Sequence, residues 1–148
     1  MAIILKYPNR PRVRTATKTA STAYGADSAI CLDEDATGAA FTQAATTTIR
    51  IAGILQNAVA STDSDYATTT VRKPYLVDED GEWQCLVSTG TADANDEGGY
   101  IDFHSTTGVA LDVTASTTDA FLVTRFVSGT QVIGTFTGWQ GRYGPAAD

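Results

Sequence analysis

Residues 68–88 read TTTVRKPYLVDEDGEWQCLVS, and two alternating runs flank an Asp-Gly step within them. In the first run Val71, Lys73, Tyr75 and Val77 share one face. In the second, Trp83, Cys85 and Val87 share one. A period of two is the signature of strands. Asp80-Gly81 between two such runs predicts a tight β-hairpin. Pro74 cannot donate to a ladder, which places the first strand at an edge or a bulge.

The same patterning continues downstream. Tyr100–Phe103 and residues 109–113, 120–127 and 131–137 read as four further strands, the last two joined by Ser128-Gly129-Thr130. Upstream, Ser28–Leu32 reads as a short strand. Residues 46–55 read as another, with Ile49 and Ile51 alternating with Arg50. Gly53 inside that strand predicts a bulge or a close backbone approach. Helix is expected only as one turn over residues 92–97, capped by Thr91 and closed by Gly98. Short strands at regular spacing predict an all-β chain, a single antiparallel β-sandwich or small β-barrel. Short loops from Thr68 onward predict a meander. This domain is expected over residues 28–138. Residues 1–27 are expected to be an extended basic arm and linker, and residues 139–148 a short tail.

Composition agrees with strands. The 148 residues include 24 Thr and 22 Ala, while charged residues are only 18%. Thr sits well on a pleated surface because its Cβ is branched. A chain of this length buries a core without staples. Cys31 and Cys85 permit one bridge at most and read as two buried thiols, in a protein made in a cytoplasm. No apolar run is long enough for a transmembrane helix. The start MAIILK has its charge after its apolar stretch, the reverse of a signal peptide.

The net charge of −7 conceals a segregation. Lys6, Arg10, Arg12, Arg14 and Lys18 fall in the first 18 residues, which hold no acid. Residues 19–148 carry the other five cations and all 17 acids, a net charge of −12. Pro8 and Pro11 favour extended backbone around them. Alternation would set Arg12 and Arg14 on one side of such a chain. A solvated terminus, an arm that orders on an acidic protein and a nucleic-acid contact are the three readings. Ile3, Ile4, Leu5 and Tyr7 favour the second, because a solvated tail does not need them. The acidic body argues against phosphate. The expected protein-binding residues are therefore Ile3, Ile4, Leu5, Lys6, Tyr7, Arg10, Arg12, Arg14 and Lys18.

Nothing in the sequence assembles catalytic chemistry. His104 is the single histidine and has no partners from which to build a triad. The acids at 33–35, 78–82 and 93–97 do not space as a calcium loop and read as turn residues. No glycine motif cradles a phosphate. Trp83 and Trp139, with Tyr100 and Tyr143, read as packing residues, with a sugar platform as the alternative. Neither an enzyme nor a cofactor or metal is expected.

Residues 66–136 resemble the small β-domain of tailed-phage capsid decoration, or cement, proteins. The resemblance is carried by YLVDEDGEW at 75–83, GTADANDEG at 90–98, YIDF at 100–103, TTDAF at 117–121 and VIGTF at 132–136. It covers about half of the chain and does not extend to residues 1–65. It implies a homo-oligomer, with a trimer favoured, seated on the capsid surface of the virion. The implied partner is the assembled major capsid protein, with no membrane and no nucleic acid. The alternatives are another virion module, in tail, baseplate or head fibre, or a β-domain that binds carbohydrate or a host surface.

Overall fold

The computed structural model describes residues 3–32, 41–45, 47–68, 71–104 and 110–143. The chain is all-β, with two sheets around one hydrophobic core. The first sheet contains β1 (Ile3–Tyr7), β7 (Glu82–Thr89), β8 (Tyr100–Phe103), β9 (Ala110–Asp112), β10 (Phe121–Ser128) and β11 (Gln131–Phe136). The second, in spatial order, is β2 (Arg12–Thr17), β6 (Arg72–Val77), β5 (Gly53–Leu55), β3 (Ser28–Leu32) and β4 (Phe41–Gln43).

Five strands of the first sheet close into a barrel, in the order β7-β11-β10-β8-β9 and back to β7. An odd ring cannot be antiparallel throughout, because five reversals of direction do not return to the start. One junction must be parallel, and it is β7–β9, where Leu86 faces Ala110 and Val87 faces Leu111. That junction occupies half of one edge of β7. The other half, Glu82 to Cys85, is taken by β1.

Phe136 centres the aromatic core. Its ring lies 5.0–5.9 Å from the rings of Trp83, Phe103, Phe121 and Trp139. Gly134 lets two strands approach, since a Cβ there would stand 1.9 Å from the Leu122 carbonyl oxygen. Gly53 plays the same part in the second sheet, where a Cβ would meet the Leu76 carbonyl oxygen at 2.6 Å. The close approach expected at Gly53 is therefore present, although β5 is only three residues long.

The hairpin expected at Asp80-Gly81 is not formed. β6 and β7 belong to different sheets and do not pair. A two-residue hairpin of the favoured type needs positive φ at both central residues. Neither Asp80 nor Gly81 has it. Gly81 is needed for space instead, because a Cβ there would lie 2.7 Å from the Asp78 carboxylate and 2.9 Å from Leu5. The turn is a corner that carries the chain from one sheet to the other. The meander consequently holds only in part: β10–β11 and β8–β9 are sequential neighbours, and β7 pairs with β11.

The N-terminal segment is extended, but it is built into the body. β1 pairs with β7 and β2 pairs with β6, so residues 3–17 run antiparallel beside residues 72–85 through the corner. Pro8 and Pro11 bracket the bend. There the buried Asp78 carboxylate accepts from the backbone N–H of Asn9 at 2.8 Å and of Arg10 at 3.1 Å. The helical turn differs too. Ala94–Asp96 forms a 3-10 turn capped by Asp93 rather than Thr91, and Gly98 follows at φ 84°. In the expected tail, Trp139 is buried and bridges to Ile51, ahead of a short helix α1 (Gln140–Tyr143). The acids at 33–35 and the expected strand residues Thr46 and Val109 lie outside the described residues.

Candidate protein-binding edge

Among the described residues β2 is the last strand of its sheet and pairs only with β6. On a covered sheet every second side chain is buried. Here Arg12, Val13, Arg14 and Thr15 are all exposed, and burial begins only at Ala16. Val13 is 63% exposed, more than any other large hydrophobic residue described. One edge of Arg12–Arg14 thus has no backbone partner among the described residues, with two guanidinium side chains on one face and an aliphatic side chain on the other. Positive charge on an edge strand discourages indiscriminate pairing.

The side chains around this edge are braced. Arg12 pairs with Glu79. Arg72 donates to the Thr15 hydroxyl at 2.9 Å and to the Thr15 carbonyl at 2.6 Å. Beside Arg14 opens a cleft of about 140 Å³ lined by Tyr75, Glu79, Trp139 and Gln140. Gln140 copies a strand there, accepting from the Leu32 N–H at 2.7 Å and donating to the Leu32 carbonyl at 3.0 Å. The Trp139 indole N–H is buried and finds no acceptor among the described residues. Burial raises the Tyr75 hydroxyl above its ordinary 10.0, against the opposing pull of Arg14 and Arg72.

The nine residues expected to bind protein separate into three places. Arg10, Arg12 and Arg14 lie along the bend and β2, all exposed. Lys6 and Tyr7 are exposed at the end of β1. Arg125 lies over the Tyr7 ring at 5.4 Å and donates to its hydroxyl at 3.0 Å. The remaining residues turn inward. Ile3 is 1% exposed and faces Cys85, while Ile4 and Leu5 are half-buried beside it. Lys18 is fully buried, because its ammonium donates to the carbonyls of Tyr66 and Thr68, each at 2.7 Å. The apolar residues of the segment therefore serve the protein's own core. Val13 and Thr15 belong to the same exposed edge, although neither is among the residues expected to bind protein. Their signal was the Pro8–Pro11 bracket, which divides one arm into two strands.

Trp83 and Trp139 are core residues, so they form no sugar platform, whereas Tyr100 is 48% exposed. Cys31 and Cys85 are buried free thiols. His104 is half-buried, with its backbone N–H bonded to the Ala110 carbonyl. No group of three or more His, Cys, Asp or Glu side chains among the described residues is placed to hold a metal. No described helix is long and apolar enough to cross a membrane. Neither the protein-family models nor the curated proteins compared with this sequence give a match.

Proposed function

We propose that this chain is a virion structural protein, a capsid decoration protein that binds the assembled major capsid protein through the exposed edge of β2. The observation that carries the reading is the uninterrupted exposure of Arg12, Val13, Arg14 and Thr15 on an unpaired strand edge. A basic ridge on a body of net negative charge orients its owner toward an acidic surface. The bare edge and Val13 supply main-chain and apolar contact to a partner strand. The resemblance of residues 66–136 to cement proteins supplies the capsid as that partner and a trimer as the assembly.

The test uses charge reversal rather than truncation, so that the fold is left in place. Val13→Asp with Arg14→Glu changes two exposed side chains. Occupancy of the double variant on mature capsids is expected to fall at least tenfold relative to the unaltered chain, with an unchanged circular dichroism spectrum. Equal occupancy would remove β2 from the interface. Loading onto tails and not heads would move the protein to another virion site.

A further inference from the structure

The two sheets share one plan. Numbered along the chain, the five barrel strands of the first sheet lie in the order first, fifth, fourth, second, third, and the third returns to the first in parallel. The second sheet has the same order, β2-β6-β5-β3-β4, and every pairing within it is antiparallel. Lys18, one residue past β2, then meets Phe41 of β4 in parallel. β2 is thus the counterpart of β7. On β7 the edge that carries the parallel junction is shared, and β1 lies antiparallel along its first half. On β2 the first part of the corresponding edge, Arg12 to Thr15, has no strand beside it among the described residues.

The cleft of about 140 Å³ belongs to this place. Arg14 lies opposite Tyr75 and Arg12 opposite Val77, and cross-strand partners share a face. Arg14, Tyr75 and Val77 all line the cleft. A strand added to the open edge therefore sets every second side chain beside Arg14 on the cleft side. The Arg14 guanidinium reaches that space: a Cβ on Gly141, which also lines the cleft, would stand 3.5 Å from its Nη1. Arg14 forms no hydrogen bond or ion pair with a described residue. Glu79, the acid that lines the cleft, is paired with Arg12. Arg14 is left as the unbalanced charge.

We infer that the open edge of β2 accepts an antiparallel acidic strand of another protein, and that one glutamate of this strand enters the cleft to pair with Arg14. The direction follows from β1, which fills the corresponding place on β7. The charge follows from Arg14, since a guanidinium takes a carboxylate through two parallel hydrogen bonds. Leu32, Ala52 and Trp139 give the cleft apolar walls for the methylene stem of a glutamate. A second copy of this chain does not suit the place, because β2 against β2 sets arginine near arginine. The inference rests on β2 being the docking edge and names the chemistry of what docks there.

The test is NMR titration of the full chain with a blocked hexapeptide that alternates threonine and glutamate, and with its threonine–glutamine counterpart. The glutamate peptide is expected to bind saturably and at least tenfold more tightly than the glutamine peptide. Arg14→Gln should abolish that preference. Arg10→Gln, which removes an exposed cation outside the cleft, should keep it. No saturable binding of the glutamate peptide, equal affinity for the two peptides, or equal losses in the two variants would overturn the inference. Capsids take no part in this titration, so the two readings fail separately. Peptide preference beside unchanged capsid occupancy of the Val13→Asp, Arg14→Glu protein would remove the capsid and leave the cleft assignment standing. Lost occupancy without peptide preference would leave β2 as the docking edge and remove the glutamate.

Discussion

At the scale of single residues, two buried carboxylates organise the loops. Asp78 holds the bend of the N-terminal segment and Asp102 holds the Asp119 loop. Neither forms an ion pair with a described residue; each accepts charge-assisted hydrogen bonds from backbone N–H groups. Removing such an acceptor leaves buried donors unpaired. Asp78→Ala should therefore cost about 2–4 kcal/mol of folding stability, and Asp78→Asn, which keeps an acceptor, distinctly less. Urea denaturation followed by tryptophan fluorescence measures both, because Trp83 lies against the same turn. Equal stability of all three proteins would show that the bend is held by its prolines alone. Little of this was legible beforehand. Asp78 reads as one of three turn acids in a row, and nothing local distinguishes the one that turns inward. Lys18 misleads for the same reason: its ammonium is satisfied by carbonyls about fifty residues away in sequence.

Elements were more legible than residues. β7 follows its alternation from Trp83 to Val87, with one face on the core, and β10 does so from Phe121 to Val123, whereas β8 and β11 each bury three residues in a row. Connections were less so. Asp80-Gly81 carries the composition of a hairpin, yet the turn serves as a corner because its φ angles are not those of a hairpin. β1 and β2 were hidden by charge: Lys and Arg on an edge strand read as a solvated arm until a partner strand is known. The candidate edge was accordingly half visible, with its arginines expected and its strand character not. This assignment has a direct consequence for truncation. Removing residues 1–18 takes away two strands and the Lys18 anchor, not a tether. The shortened chain should lose its cooperative thermal transition and become sensitive to protease throughout. A shortened chain that melts like the full one would restore the segment to the status of an appendage.

For the whole molecule, the protonation balance sets a limit on the alkaline side. Cys85 is fully buried, and burial raises its thiol well above the ordinary 9.0. Tyr24 and Tyr75 are likewise raised above 10.0 by burial. In the unfolded chain these groups ionise near their ordinary values, while the native state keeps them protonated. Above about pH 9 the native state therefore binds more protons than the unfolded one, and stability falls as pH rises. Below that pH these groups contribute no slope. The urea midpoint should fall with increasing steepness from pH 9 to 11, and Cys85→Ala should flatten the part of that fall below pH 10. A midpoint constant to pH 11 would contradict the burial of all three. The architecture at this scale was readable as all-β, whereas the odd closure was not, because no local pattern encodes which strands meet in parallel.

The shared edge of β7 bears on how the chain acquires its shape. Ile3 has its partner in Cys85, and Arg12 has its partner in Val77. β1 thus waits for its partner strand, about eighty residues later in the chain, to be made. Its neighbour on the same edge, β9, is made later still. Such distant pairings fold slowly, since loop closure precedes any reward. During synthesis the basic N-terminal segment is consequently unpaired, with Ile3, Ile4 and Leu5 uncovered. That interval is when the chain is most open to chaperones and to premature association.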